Sequence, residues 1–373
     1  VRILVWQWGR FGAGPRLGLD FAAGFSAVPG VTGLLSLSTA AELMRESGAP
    51  WCDLPVETYH GPISYLARAA AAPAFVPGLA RSVRLLAPDI ALCAMPGPLD
   101  LAMHAALRRA GVPYGIVVHD ADAHPGDGYP LQMALQRRLV RRAGAVVVLS
   151  DHVRQRLAAQ GLTMDKPVIR SVLPQPAIAG LPPVRAHGGP FRLLSFGRLL
   201  AYKGLDLLAG ALAQVLPEQP MAVRVVGQGP ESSDLAALRR LPGVTVENRW
   251  VPEGEILGLL GWADALVLSH REASQSGVAA AALAAGRFLV ATRVGGLAEQ
   301  AGDNPGALLC EVSADSLAAA LRRVQILPPP RGAVGSGGAW AGALAGALRS
   351  VLGRKEGQGS ALDPLGPEAP DPI

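Results

Sequence analysis

The stretch "ADALVLSHREASQSGVAAAALAAGRFLVATRVGG", residues 263–296, decides the fold. It opens as an apolar run and passes through His270, Arg271, Glu272, Ser274, Gln275 and Ser276. It continues as an alanine-rich segment compatible with a helix over 275–285, and ends in a second apolar run and a double glycine. Two continuous apolar strands separated by a helix are the pattern of a parallel βαβ unit buried on both faces. The polar insert then falls where strand gives way to helix. One hydroxyl, at Ser274 or Ser276, would suffice to cap that helix. Adding a carboxylate, an amide and a second hydroxyl points to a ligand as well. The amino end of such a helix suits phosphate oxygens, and Glu272 just before it can accept from sugar hydroxyls.

The same alternation recurs on both sides of this unit. Upstream stand "FRLLSFG" (191–197), "AVRVVG" (222–227) and "VTVENRW" (244–250), with helix-compatible segments at 203–216 and 232–241. The first half repeats it with "RILVWQW" (2–8), "DIALCAM" (89–95), "YGIVVHD" (114–120) and "AVVVLS" (145–150), and with helical segments at 131–142 and 151–160. Two such series predict an α/β chain of two Rossmann-like, doubly wound parallel-sheet domains. The first domain is expected over 1–170 and the second over 191–338, with 327–338 as a loop. Between them "SVLPQPAIAGLPPVRAHGGP" (171–190), rich in proline and glycine, reads as a linker. Residues 339–352 suit a terminal helix, and 353–373 show no periodicity and are expected to be a disordered tail.

Composition narrows the class. Half of the 373 residues are hydrophobic and 17% are charged, so core material is plentiful. No apolar run reaches the roughly 18 residues of a membrane span, and the start does not read as a signal peptide. Cys52, Cys93 and Cys310 are scattered and odd in number, which suits reduced thiols and a cytoplasmic protein. Of 34 basic residues only Lys166, Lys203 and Lys355 are lysines. Aromatics are few and do not interleave with basic runs, so nucleic acid is not the expected partner. The net charge of +5 suits acidic small substrates or an anionic membrane surface.

Several glycine and cation clusters follow strands. "WGRFGAGPR" (8–16) places Gly12 and Gly14 where backbone amides can approach a phosphate or sugar, but its spacing fails the dinucleotide fingerprint, so hydride transfer is not expected. "FGRLLAYKG" (196–204) sets Arg198 and Lys203 at the carboxyl end of a strand, two cations that suit a diphosphate. In "VVGQGPE" (225–231), Gly227 and Gly229 leave room for a base or ribose. "VVHDADAHPGDG" (117–128) gathers His119, Asp120, His124 and Asp127 on a loop; the spacing matches no metal site, and His119 suits a hydrogen bond within a cleft. Arg137, Arg138, Arg141 and Arg142 form one basic helix face, either solvated or drawn to anionic lipid.

In their order, "GRFGAGPR", "VVHDADAHPGD", "FGRLLAYKGLDLL", "VVGQGPE", "NRWVPEGEI", "EASQSGV" and "VATRVGGLAE" resemble the retaining, nucleotide-sugar-dependent glycosyltransferases of the GT-B fold, family 4 (group 1) type. The resemblance spans roughly residues 1–300 and is most specific over 195–299. It implies that the two domains face a cleft and that a sugar moves from a nucleoside diphosphate sugar to an acceptor hydroxyl with retention, in polysaccharide or glycoconjugate synthesis. It also implies a glycan or lipid-linked acceptor. No essential metal or other cofactor is expected, because Arg198 and Lys203 take its place, and the cysteines and charge suit a cytoplasmic site of action, with peripheral contact to the inner membrane face as an extension. His119, Arg198, Lys203 and Glu272 match catalytic positions. Gly227, Gly229, Ser274, Gln275, Ser276, Gly277 and Val278 match the donor site, and Gly12, Gly14 and Arg16 the acceptor-side loop.

One position departs from the family. Where its second glutamate would hold ribose, this chain has Ala280 and Ala281. That departure keeps a non-catalytic sugar-nucleotide-binding subunit as an alternative, beside a nucleotide-sugar epimerase or hydrolase on the same fold.

Overall fold

In the computed structural model the described residues are all except 46–47, 125, 127–131, 177, 179, 331–338 and 354–373. Asp127, most of the 327–338 loop and nearly all of the 353–373 tail therefore lie outside the described residues.

Two six-stranded parallel sheets organise the chain. The first contains β1 (Arg2–Gln7), β2 (Thr32–Leu37), β3 (Ile90–Cys93), β4 (Tyr114–Val118), β5 (Ala145–Val148) and β6 (Val168–Arg170), in the order β2-β1-β3-β4-β5-β6. Strand alternation explains why both faces must be covered. Leu4 and Trp6 point to one apolar cluster, built with α3 (Ala72–Leu86), α4 (Asp100–Ala110), α5 (Gln132–Arg142) and α6 (Asp151–Ala159). Ile3 and Val5 point to the other, built with α1 (Ala13–Ser26). The short helix α2 (Pro62–Ala70) lies at the rim of the first layer and contributes Tyr65 and Ala69 to its edge.

The second sheet holds β7 (Phe191–Phe196), β8 (Met221–Gly227), β9 (Val244–Asn248), β10 (Ala265–Leu268), β11 (Phe288–Thr292) and β12 (Ala307–Cys310), in the order β12-β11-β10-β7-β8-β9. Its helices are α7 (Leu205–Val215), α8 (Ser233–Arg239), α9 (Glu253–Trp262), α10 (Gly277–Ala284), α11 (Leu297–Ala301) and α12 (Ala314–Val324). Winding reverses between β7 and β10, and open α/β sheets bind ligands at the carboxyl ends of strands at such a point. The linker joins the second body through Asp264, a buried carboxylate that accepts from the Arg185 amide (2.6 Å), the Arg192 amide (2.9 Å) and His187 Nε2 (3.0 Å).

The last helix, α13 (Ala339–Leu352), returns to the first sheet. Ala341, Leu344, Ala345 and Leu348 fill the cluster beside α1, and the Trp340 ring lies 5.4 Å from that of Phe21 and 6.2 Å from that of Phe25.

Candidate active site

Second-domain residues define one wall. After β7 the chain passes Arg198 and enters a short 3₁₀ turn, Ala201–Lys203. A pocket at the carboxyl ends of β7 and β10 is lined by Gly197, Arg198, Lys203, Val267, Ser269 and His270. Burial, and next the Arg198 charge, push the Lys203 ammonium down to about 8. His270 lies behind it, held well below the usual histidine range by burial and then by Lys203. Arg198 is hydrogen-bonded to Tyr202, whose ring lies 4.9 Å from Lys203 Nζ.

Gly227 and Gly229 stand beside this turn, for a local reason. A Cβ at Gly227 would lie 1.7 Å from the Gly197 carbonyl oxygen, and one at Gly229 would lie 2.1 Å from that of Leu199. The loops after β7 and β8 thus pack backbone to backbone, and that contact alone demands both glycines.

The polar insert of residues 270–278 faces the other domain. Ser276 is the N-cap of α10, its hydroxyl accepting from the Ala279 amide at 3.3 Å, while Gln300 brackets its backbone from both sides. Gly277 follows with no atom within 4 Å of where a Cβ would be, and Val278 is half-buried. Glu272, Ser274 and Gln275 cross the cleft. The Gln275 amide nitrogen donates to His119 Nδ1, and His119 Nε2 donates to the Ala94 carbonyl at 3.1 Å. Those two bonds require the neutral Nε2–H tautomer, in keeping with burial lowering the pKa of His119. Ser274 bonds Asp120. His124 stands 3.2 Å from Asp120 and 3.4 Å from Glu272, stacked on Tyr202 with ring centroids 4.8 Å apart. The bond to Asp120 raises the His124 pKa against the effect of burial, with Glu272 adding to it. Desolvation would raise Asp120, but His124, His119 and Ser274 outweigh it and hold its carboxyl below the usual range.

First-domain residues form the opposite lip. Gly12 is the N-cap of α1 with φ of 76°, and a Cβ there would meet nothing within 4 Å, so open space lies before that helix end. The expected loop is shorter than its motif: Gly14 and Arg16 belong to α1 itself. Arg16 is committed to Asp20 (3.0 Å) and, across the cleft, to Glu253 (3.4 Å). Glycine and proline in "GAGPR" open the helix rather than delay it, since proline is tolerated in a first turn.

Other cross-cleft contacts are not legible in the sequence. Glu299 accepts from the Asp151 and His152 amides (2.6 and 2.9 Å) at the start of α6 and pairs with Arg170 at 3.1 Å. Phe11 meets Trp250 edge to face at 6.0 Å. Tyr202 had one available signal, its place beside the unusual Lys203. Among the described residues no group of three or more His, Cys, Asp or Glu side chains is arranged to hold a metal ion.

Residues 190–325 match the family model described as glycosyl transferases group 1, and residues 24–172 match the glycosyl transferase 4-like domain. Together the two matches take in about three quarters of the chain, one on each sheet. Each of its two domains thus carries a glycosyl transferase signature, on a GT-B fold. Over 260 residues the chain is 30% identical to 2-deoxystreptamine glucosyltransferase of Streptomyces kanamyceticus, covering 62% of its own length and 66%, just under two thirds, of that enzyme. A solved glycosyltransferase from Rickettsia africae superimposes with a TM-score of 0.64 at 15% identity, over 94% of this chain and 93% of that one. Anabaena HepE, crystallised with UDP and glucose, gives 0.63 at 17%, over 94% and 95%. At those identities the two structures bear on the fold alone. Among the described residues, no helix is long and apolar enough to cross a membrane.

Proposed function

We propose that this glycosyltransferase moves a sugar from a nucleoside diphosphate sugar to a hydroxyl of a glycan or glycoconjugate acceptor, with retention and without an essential metal. The observation that carries the reading is the Arg198–Lys203 pair. Burial first, and the neighbouring Arg198 charge second, bring Lys203 down to about 8, so both charges together are disfavoured there until a dianion arrives, and a diphosphate is that partner. They would stabilise the charge that develops as the bond from the sugar anomeric carbon to the diphosphate oxygen breaks. A departing phosphate oxygen then takes the acceptor hydroxyl proton while the acceptor oxygen bonds the anomeric carbon from the same face. The charge that a metal would otherwise supply comes from the two side chains. The UDP-glucose and UDP bound by HepE make a UDP-sugar the first donor to test.

The sugar would lie among Glu272, Gln275, Ser276 and Gly277. The Gln275 carbonyl oxygen is buried without a partner among the described residues, and a sugar hydroxyl is the donor it lacks. His119, from the first domain, would orient that amide. Gly227 and Gly229 would border the base, and the open end of α1 at Gly12 the acceptor.

A thermal-shift series with UDP, GDP, ADP and their sugars, with and without EDTA, tests the donor site. A shift that survives EDTA and disappears in Arg198→Ala and Lys203→Ala supports the reading, and the anomeric configuration of the product by NMR tests retention. A second reading is motivated by Ala280, buried in α10 where the family carries an acid. Donor binding with no turnover on any acceptor would establish a sugar-nucleotide-binding subunit, and turnover without acceptor an epimerase or hydrolase.

A further inference from the structure

The pocket that Arg198 and Lys203 line contains a third ionisable side chain, His270. It stands just past the end of β10, two residues before Glu272, and only 5% of its surface is exposed. Its Nδ1 is cut off from solvent without a partner, and neither ring nitrogen is hydrogen-bonded among the described residues. Buried polar atoms are nearly always paired, and an unpaired buried N–H is rarer than an unpaired acceptor. The proton therefore belongs on Nε2, which leaves that N–H to face the pocket.

The ring is not what holds its own segment in place. Ser269 Oγ donates to the Lys203 carbonyl at 2.8 Å, and the Arg271 amide donates to that of Tyr202 at 2.8 Å. Thr292 Oγ1 donates to the His270 carbonyl at 2.5 Å. Gly204 packs on the Ser269 carbonyl oxygen, where a Cβ would come within 2.0 Å. These contacts weld the Ala201–Lys203 turn to the residues after β10 and set the imidazole beside Lys203 without using it. Burial, then Lys203 and His124, hold His270 well below the usual histidine range. The ring thus adds an N–H to the pocket without adding a third repelling charge.

The order of the strands decides which part of a ligand the ring meets. β8, β7 and β10 lie side by side. Their carboxyl ends lead in turn to Gly227 and Gly229, to Arg198 and Lys203, and to His270 and Glu272. A nucleoside diphosphate sugar laid along that edge has its base at β8 and its sugar at Glu272. His270, next to Glu272, falls at the phosphate that carries the sugar. We infer that His270 is a phosphate-binding residue whose Nε2–H donates to an oxygen of the sugar-linked phosphate. This rests on the glycosyl-transfer reading and adds to it a group that tells a diphosphate from a monophosphate, since a monophosphate ends short of the ring. Burying Nδ1 unpaired destabilises the free protein, and it is the bound phosphate on Nε2 that gives the imidazole its use.

Calorimetric binding of UDP, GDP, ADP and their monophosphates to wild type, His270→Leu, His270→Gln and Lys203→Ala tests this. Affinity for the preferred diphosphate should fall about ten- to a hundredfold in His270→Leu, the range for a hydrogen bond to a charged group. Affinity for the matching monophosphate should not change. His270→Gln, whose amide N–H can stand in for Nε2–H, should regain most of the loss. The ligand-free melting temperature of His270→Leu should equal or exceed that of wild type, because an apolar group of similar size removes the unpaired nitrogen. Diphosphate affinity that is unchanged in His270→Leu, lost equally for the monophosphate, or not regained in His270→Gln overturns the inference. So does a lower ligand-free melting temperature in His270→Leu with affinity kept, which would make the ring a packing residue. Affinity kept in both His270 variants and lost in Lys203→Ala sinks the inference alone. No diphosphate binding by the wild type sinks the glycosyl-transfer reading with it.

Discussion

The two walls of the cleft are built by different means. On the second domain, the turns after β7 and β8 are fixed by their own backbones: Gly227 faces the Gly197 carbonyl and Gly229 that of Leu199. On the first domain, the site consists of side chains held at home on one side and across the cleft on the other, His119 between Ala94 and Gln275 and His124 between Asp120 and Glu272. One wall is prefabricated; the other is anchored at home and completed when the domains meet. Donor binding should therefore be robust in the second domain, and acceptor geometry should depend on closure.

The largest effect expected to test this contrast is on catalysis. Lys203→Ala should lower kcat/KM by about a hundred- to a thousandfold, the scale of losing one charge-stabilising group at a leaving group, read by steady-state kinetics. If the mutant keeps wild-type kcat/KM, the prefabricated wall is not the diphosphate site.

Next comes a pair of glycines. Gly227→Ala forces a Cβ to 1.7 Å from a carbonyl oxygen at positive φ and should destabilise by about 3 kcal/mol or more. Gly12→Ala meets only open space and a φ of 76°, costing about 1 kcal/mol. Thermal melts that rank the two the other way would undo the contrast.

Glu299→Gln removes a carboxylate from two amides at the start of α6 and from Arg170. A loss of about 1–2 kcal/mol is expected, together with a larger radius of gyration by small-angle scattering if the clamp holds the domains together. The smallest effect is on pH. Lys203 is charged below about 8 and loses its charge above it, so donor affinity should fall several-fold between about pH 7 and 9.5. Lys203→Arg should flatten that profile.

Legibility in the sequence follows the same division. Apolar runs located most strands of both sheets because both faces of each sheet are buried. β2, β6 and β12 lie toward the sheet margins, and β2, "TGLLSL", is interrupted by Gly33 and Ser36. Second-domain motifs could be read because a local backbone contact leaves a local mark, a glycine or a lysine. Glu299 left no such mark: nothing near it in sequence announces the amides of Asp151 and His152. A cap at Ser274 or Ser276 was legible from their place before an apolar helix, and Ser276 is the one that fills it. The roles of Ser274 and Gln275 needed Asp120 and His119, more than 150 residues away.

The return of α13 to the first sheet makes the chain cross between the domains twice, once through 171–190 and once between α12 and α13. A cut within the linker would therefore leave a fragment that carries, at its far end, a piece of the other fragment's core. Fragments 1–170 and 191–353 should reassociate through α13 docking beside α1, with Trp340 meeting Phe21 and Phe25. The fold thus contains its own split-protein reporter, and a chain cut short at residue 325, where the family match stops, would leave the first domain with an open apolar groove.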